Sequence, residues 1–340
     1  MYFNRIAVMG AGSMGTLLGA CLTRAGRPVD LIDIDSQHVD ALNAGGATVR
    51  GTMNFNVPVH ALIPEEMEGV YDLVFLLVKQ TNNRSAFEQL KPHLHKKGIV
   101  CTLQNGIPEP VVAAAFGKRR TLGCAVTWAA ILVGPGVVEC TAERERWSSL
   151  IGSLNNRFTE KIREVQEILS LVCPTEFIDN LMGIRWSKLL INCSFSGICA
   201  ALGCTFGEIL ENEKAFKYAQ YIARECIRVS EVQGYEMVPM ADGKNFKALM
   251  DFEREEDRPA TARIYHELWG SVKSGKASML QDLEKGRRSE IDAINGLLSR
   301  TGRRFGVPTP VNDRVVKIVK AIEKKRLNPC IENLEIFKEL

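Results

Sequence analysis

Lys188 is the residue whose surroundings say most about chemistry. It sits in Arg185-Trp186-Ser187-Lys188-Leu189-Leu190-Ile191-Asn192-Cys193, an apolar run with helical spacing. Asn192 follows four residues later and Ser196 four beyond that, so one helix face carries all three. Buried polar groups are costly unless paired, so such a stripe must meet water, a partner or a ligand. An ammonium there can stabilise and protonate a developing oxyanion, and burial would lower its pKa towards neutrality. The plainer alternative is a lysine that snorkels from the helix edge. A second candidate group lies further on, in Ser278-Met279-Leu280-Gln281-Asp282-Leu283 and Ser289-Glu290-Ile291-Asp292-Ala293-Ile294-Asn295-Gly296. Glu290 stands beside an apolar face of Ile291, Ile294, Leu297 and Leu298. Periodicity leaves it open whether Glu290 is an active carboxylate or an ordinary acid in a first helical turn.

Near the start, Gly10-Ala11-Gly12-Ser13-Met14-Gly15 is a G-x-G-x-x-G that follows a strand and opens a helix. The first glycine allows a tight turn, the second lets backbone approach a pyrophosphate, and the third lets helix and strand pack closely. The helix N-terminus adds N–H groups and a positive dipole end. Asp33, 23 residues beyond Gly10, falls where a carboxylate would meet the adenosine ribose hydroxyls, and it would repel a 2′-phosphate. It therefore favours NADH over NADPH. Asp33 could instead cap the helix starting near Ser36, and Asp35 can serve either role. Lys79 and Asn105 follow the apolar runs ending at Val78 and Leu103, at the strand ends where open α/β sheets bind ligands. Lys79 could equally be a solvated strand terminus, and Asn105-Gly106 is a favoured turn in its own right.

The elements that must position these residues fall into two halves. Strands over 6–9, 29–33, 73–78 and 99–103 alternate with helical patterns such as 14–25, the signature of βαβ units and a parallel sheet. The stretches 129–133 and 137–140 flank Gly134-Pro135-Gly136 and read as a hairpin closing the domain. Helices are expected over 181–201, 213–233, 245–250 and 288–299. A last long helix carries Val315, Ile318, Val319 and Ile322, with Lys317, Lys320 and Lys324 on its wet face. The boundary is expected between Cys173 and Asn180, giving a Rossmann-type domain over 1–178 and an all-α domain over 179–340.

A length of 340 residues suits two domains. Forty-three Lys and Arg against 40 Asp and Glu leave +3, no footprint for nucleic acid. None of the ten cysteines falls in a C-x-x-C pair, and the first strand starts too early for a secretory signal. The most apolar stretch, 189–204, carries Asn192, Ser194 and Ser196, so no membrane span is expected. These features predict a reduced, cytoplasmic, soluble protein. No metal site is expected, and His93 and His95 are assigned to a loop among lysines.

The G-x-G-x-M-G, Lys79-Gln80, Gln104-Asn105-Gly106, the Trp-x-Lys-x-x-x-Asn-Cys helix and Ser-Met-Leu-Gln-Asp…Glu-Ile-Asp…Asn-Gly…Pro-Thr-Pro closely resemble the ketopantoate reductase family over about residues 5–320. The resemblance implies a Rossmann-type domain and a helical domain of the 6-phosphogluconate dehydrogenase-like kind, with the active site in the cleft between them. It implies NAD(P)H-dependent reduction of ketopantoate to (R)-pantoate, the reaction that feeds pantothenate and coenzyme A synthesis. Lys188 would then be the proton donor to the ketone oxygen. Glu290 would bind the substrate's far hydroxyl and help orient the lysine. Asn105 and Asn192 would position substrate and lysine, Ser278 would contact the substrate carboxylate, and Ser196 would lie on the substrate side. Gly10, Ala11, Gly12, Ser13, Met14, Gly15, Asp33 and Lys79 would hold the cofactor, with Asn105 and Glu290 also reaching it. The family leaves a homodimer open.

Three departures matter. Ser196 and Gly275 stand where many relatives carry asparagines, which opens the identity of the 2-oxo acid. Ile34 occupies the place of the basic residue behind an NADP preference. The segment 230–265 adds helical material, its charged cluster 253–258 being read as a solvated face or lid edge. Rival readings are a reductase of another 2-oxo acid, a β-hydroxyacid dehydrogenase, and a redox sensor that binds a dinucleotide without turnover.

Overall fold

The structure is a computed structural model that describes residues 2–240 and 242–337. The chain forms two units: one runs to Gln104 and resumes over Pro108–Leu181, the other takes Asn105–Ile107 and the chain from Met182 on.

The first unit begins with β1 (Ile6–Met9), α1 (Ser13–Arg24), β2 (Asp30–Ile32) and α2 (Ser36–Gly45). Three short strands follow, β3 (Ala47–Gly51), β4 (Phe55–Val57) and β5 (His60–Leu62), then β6 (Tyr71–Leu76), α3 (Asn83–Leu90), β7 (Leu94–Thr102) and α4 (Glu109–Phe116). It ends with β8 (Thr121–Val126), β9 (Ala130–Gly134), β10 (Val137–Cys140), β11 (Ser149–Ser153), α5 (Glu160–Ser170) and β12 (Thr175–Phe177). An eight-stranded sheet runs β12-β11-β8-β7-β6-β1-β2-β5, parallel except between β8 and β11. β1 pairs with β2 on one side and β6 on the other, so the chain reverses direction across the sheet there. That switch point is where open α/β sheets form a crevice. Alternate residues of β1 serve opposite faces: Ile6 and Val8 join one buried cluster, Ala7 and Met9 another. Burial on both faces explains why β1 and β6 read as continuous apolar runs.

The structure corrects several sequence expectations here. The hairpin of β9 and β10 does not close the domain but joins a second sheet, β4-β3-β10-β9, because β10 pairs in parallel with β3. β11, α5 and β12 still follow, and β12 adds an edge strand beyond Pro174. His95 lies in β7 and His93 in a 3-10 turn, so neither is in an irregular loop.

The second unit is helical: α6 (Leu181–Leu202), α7 (Phe206–Glu211), α8 (Glu213–Val232), α9 (Phe246–Met250), α10 (Ala262–Trp269), α11 (Ser278–Glu284), α12 (Asn295–Phe305) and α13 (Pro310–Glu323). α6 lies at its centre, almost wholly buried, with Phe195 stacked on Trp269 at 4.0 Å between ring centroids. The helix expected over 288–299 starts only at Asn295, and Ile294, at φ −107° and ψ −93°, breaks the helical path. Residues 289–294 form an irregular turn instead. The charged cluster 253–258 is largely exposed, as a solvated face should be, and is tied to α8 at two points. Arg258 bonds to Gln220 of α8 at 2.7 Å, and Lys217 pairs with Glu255 at 3.1 Å. Among the described residues no helix is long and apolar enough to cross a membrane.

Candidate active site

β1 delivers the chain to Gly10, whose φ of +99° suits glycine. A Cβ there would lie 2.5 Å from the backbone nitrogen of Val78, so the turn packs backbone against backbone. The N–H groups of Gly10 and Ala11 donate to the Ile32 carbonyl at 2.8 and 3.0 Å. Gly15 comes so near that a Cβ would sit 2.0 Å from the Gly10 carbonyl oxygen. At Gly12 nothing lies within 4 Å of where a Cβ would point. The three glycines thus meet three different demands, and the open one is in the position where a ligand would approach. Gly12, Ser13 and Met14 are partly exposed, whereas Ala11 is buried.

Sequence reasoning missed the residue beneath this loop. His38 of α2 is 1% exposed, and its Nε2 lies 2.8 Å from the Ala11 carbonyl oxygen and 3.0 Å from Thr16 Oγ1. The only available signal was a histidine sharing the apolar face of α2 with Val39 and Leu42.

Asp33 follows β2 and is half-buried. It accepts the Asp35 N–H at 3.1 Å, while Asp35 accepts the His38 N–H at 3.3 Å and caps α2. The capping role therefore belongs to Asp35. Burial pushes the Asp33 carboxyl upward, against the lowering effect of the backbone N–H groups of Asp35 and Ile34 and of His38. Ile34 beside it is 72% exposed and offers no cation. Lys79 lies three residues beyond the end of β6, at the start of the 3-10 turn Gln80–Asn82, and is half-buried. Gln104, which the sequence marks only as part of Gln104-Asn105-Gly106, ties the neighbouring strand end down. Its Nε2 donates to the Val78 carbonyl at 2.5 Å and to Asn83 Oδ1 at 2.6 Å, while Thr102 Oγ1 donates to its Oε1 at 3.0 Å.

In the helical unit, α6 has five residues that are not buried: Met182, Lys188, Ile191, Asn192 and Ser196. Three of the five form the polar stripe seen in the sequence. Asn105 belongs to the same unit, half-buried, next to a turn that gives Gly106 a φ of +77°. Glu290 is half-buried on the 289–294 turn. That turn is held by Glu323 of α13, whose Oε1 accepts from the Ser289 N–H at 2.9 Å and the Ser289 hydroxyl at 2.8 Å. Lys320 is not simply on a wet face either, because it pairs with Asp292 of the turn at 2.7 Å. Ser278 is the exposed first residue of α11. At Gly275 a Cβ would lie 2.9 Å from the Val272 carbonyl oxygen and 3.1 Å from the Phe206 ring, so an asparagine there would require both to shift. Asn105, Lys188, Asn192, Ser196, Ser278 and Glu290 thus share one unit, and the glycine loop, Asp33 and Lys79 share the other.

A buried polar chain anchors α6. Asn295 Nδ2 donates to the Cys193 carbonyl at 3.1 Å and to Asn312 Oδ1 at 2.9 Å. Asn312 Nδ2 donates in turn to Glu225 Oε2 at 2.7 Å. Gly197 makes the first link accessible, since a Cβ there would stand 2.4 Å from Asn295 Oδ1.

A parallel nucleotide-fold unit with a glycine-rich first turn, followed by an all-helical unit, is the build of an NAD(P)H-dependent oxidoreductase, and this chain is one. The family models described as ketopantoate reductase PanE/ApbA and its C-terminal domain match residues 6–151 and 180–323. The chain belongs to the ketopantoate reductase family. It is 28% identical to a 2-dehydropantoate 2-reductase of Archaeoglobus fulgidus, covering 95% of this chain and 99% of that one. It is 27% identical to another from Pyrococcus abyssi, covering 94% and 98%. Among solved structures it resembles a D-mandelate dehydrogenase with NADH and anilino(oxo)acetate, with a TM-score of 0.82, 25% identity and coverage of 95% and 99%. A ketopantoate reductase family structure from Ralstonia eutropha matches with a TM-score of 0.80, 29% identity and coverage of 95% and 99%.

Proposed function

We propose that this chain reduces 2-dehydropantoate to pantoate, drawing its reducing equivalents from NADH in preference to NADPH. The observation that carries the reading is the polar stripe of Lys188, Asn192 and Ser196 on a helix that is otherwise almost entirely buried. The open position at Gly12 fits a dinucleotide pyrophosphate, with the N-terminus of α1 behind it. Asp33 fits the ribose hydroxyls, and the pairing of Asp33 with Ile34 supports NADH.

NAD(P)H, which the glycine loop, Asp33 and Lys79 would hold, would supply the hydride that reduces C2 of the 2-oxo acid. Lys188 donates a proton from Nζ to the carbonyl oxygen, its ammonium stabilising the charge that builds there, and is reprotonated from water. Glu290 accepts a hydrogen bond from the far hydroxyl of the substrate and orients the lysine. Asn105 and Asn192 hold substrate and lysine in line, Ser196 lies on the substrate side, Ser278 donates to the carboxylate, and Lys79 lies at the junction of cofactor and substrate. Asn105 and Glu290 also reach the cofactor.

A second reading keeps the chemistry and changes the acid. Ser196 and Gly275 lack the amides that many relatives use, and the Phe206 ring fills the space beside Gly275. The likeness to a D-mandelate dehydrogenase adds support for a bulkier, apolar 2-oxo acid such as phenylglyoxylate. Nine buried cysteines with free thiols support a reducing, cytoplasmic setting. A homodimer belongs to this reading on the family resemblance alone.

Steady-state turnover of ketopantoate and phenylglyoxylate, each with NADH and NADPH, tests the proposal. Ketopantoate should give the highest kcat/KM, with NADH ahead of NADPH. Lys188→Ala should lower kcat by about 10²–10⁴-fold, the usual worth of a general acid. Ketopantoate turnover no better than that of unrelated oxo acids, or an unimpaired Lys188→Ala enzyme, would reject it.

A further inference from the structure

The carbonyl oxygen of Ala11 is the most heavily tethered atom of the glycine loop. It lies 2.5 Å from Thr16 Oγ1 and 2.8 Å from His38 Nε2, with Thr16 0% and His38 1% exposed. The other ring nitrogen of His38 fixes the tautomer. Nδ1 accepts the Gly136 N–H at 3.1 Å, so it carries no proton, and a neutral imidazole then bears its hydrogen on Nε2. Nε2 is therefore the donor to Ala11. The Thr16 hydroxyl also donates to Ala11, since a protonated Nε2 cannot accept. One imidazole thus joins the glycine loop to the turn between β9 and β10.

A trans peptide points its C=O and the following N–H in opposite directions. Holding the Ala11 carbonyl inward on His38 and Thr16 therefore turns the Gly12 N–H outward, on the loop whose Gly12 position is open. We infer that His38 is a positioning residue for dinucleotide binding: through the Ala11 carbonyl it aims the Gly12 N–H at the cofactor phosphates. The inference rests on the proposed reading of the glycine loop as the cofactor site. It adds a residue 26 positions downstream of Gly12, on α2 and outside the G-x-G-x-x-G.

Two substitutions separate the halves of the imidazole. In His38→Gln the side-chain amide can reach the place of Nε2 and donate to Ala11, but the acceptor for Gly136 is lost. In His38→Asn the amide oxygen can replace Nδ1 opposite Gly136, but nothing reaches Ala11. Dissociation constants for NADH and NADPH by isothermal titration, melting temperature and ketopantoate KM are measured for the wild type, both variants and Thr16→Val.

His38→Asn should weaken dinucleotide binding about tenfold, the usual cost of one lost buried hydrogen bond, with ketopantoate KM within about twofold of wild type. His38→Gln should bind within about threefold of wild type even where it melts earlier. Thr16→Val, which removes the second donor from the same oxygen, should also weaken binding, and it keeps the test alive should the His38 variants fail to fold. Equal affinities for His38→Asn and His38→Gln, losses that simply follow melting temperature, or an unchanged Thr16→Val protein would overturn the inference and leave the cofactor site standing. A wild-type protein that binds neither dinucleotide would overturn the reading of the loop and this inference together.

Discussion

Glu225 gives the sharpest physical forecast in the helical unit. It sits within α8, 8% exposed, and reaches across to the start of α13. Its oxygens accept the N–H groups of Val311 and Asn312, both at 2.9 Å, and the Asn312 side chain at 2.7 Å. Burial nevertheless dominates and pushes the carboxyl up to about 7, with Asp313 adding to the rise and the three hydrogen bonds opposing it. Between the ordinary value of 4.5 and about 7, the folded protein keeps a proton that the unfolded chain has released. Stability must therefore fall as pH rises through that window. At about 1.4 kcal/mol per pH unit the gap corresponds to about 3 kcal/mol, a sizeable part of the stability of an ordinary domain. Urea unfolding of the wild type and Glu225→Gln, from pH 4.5 to pH 8, isolates this contribution, because the amide does not titrate. The wild type should lose stability relative to the variant across the window and run parallel to it above. Parallel curves throughout, or a wild type that gains on the variant as pH rises, would refute the assignment.

Two further outcomes follow from glycines with opposite surroundings. Gly12→Ala puts a methyl group into open space, so the melting temperature should stay within about 2 °C, while the affinity for NADH should fall at least about tenfold, as read by titration. Gly197→Ala drives its methyl group against Asn295 Oδ1 and Val315 Cγ1, at 2.4 and 2.7 Å before relaxation. Overpacking of about 1–3 kcal/mol opposes the helix propensity of about 1 kcal/mol gained over glycine, so urea unfolding should register a net loss of up to about 2 kcal/mol.

What could be read from the sequence was whatever depends on neighbours a few residues away. The glycine loop with its strand and helix, the stripe at 188, 192 and 196, and the long helices all have local periods. β4 and β5 went unseen because three residues hold too little alternation to stand out. The 289–294 turn reads as helix in the sequence because Ile291, Ile294, Leu297 and Leu298 keep helical spacing, while the backbone does not. Ser289 Oγ takes the Ile291 N–H, and Gly296 N bonds five residues back to Ile291. The contacts of His38, Gln104, Glu225 and Glu323 are illegible in the sequence for a common reason. Each acts on a partner 21 to 87 residues away, and no spacing rule spans such a distance.

These distant partners also explain why the C-terminal motifs extend beyond any residue with a proposed chemical role. Glu290 accounts for the acid in Glu-Ile-Asp, but not for Asn295, nor for Asn312, two residues after Pro-Thr-Pro. Those two asparagines form the buried chain from Glu225 to the Cys193 carbonyl, one residue from Asn192 on the lysine helix. A carbonyl in the middle of a helix already accepts from the N–H four residues on, here that of Gly197, and only a residue without a side chain leaves room for a second donor. The angular setting of α6, and with it the direction of the stripe, is therefore tied by a buried hydrogen bond in addition to its apolar packing. The proposed role of Lys188 depends on that setting, and α6 cannot turn without breaking a buried hydrogen bond as well as disturbing a close-packed core.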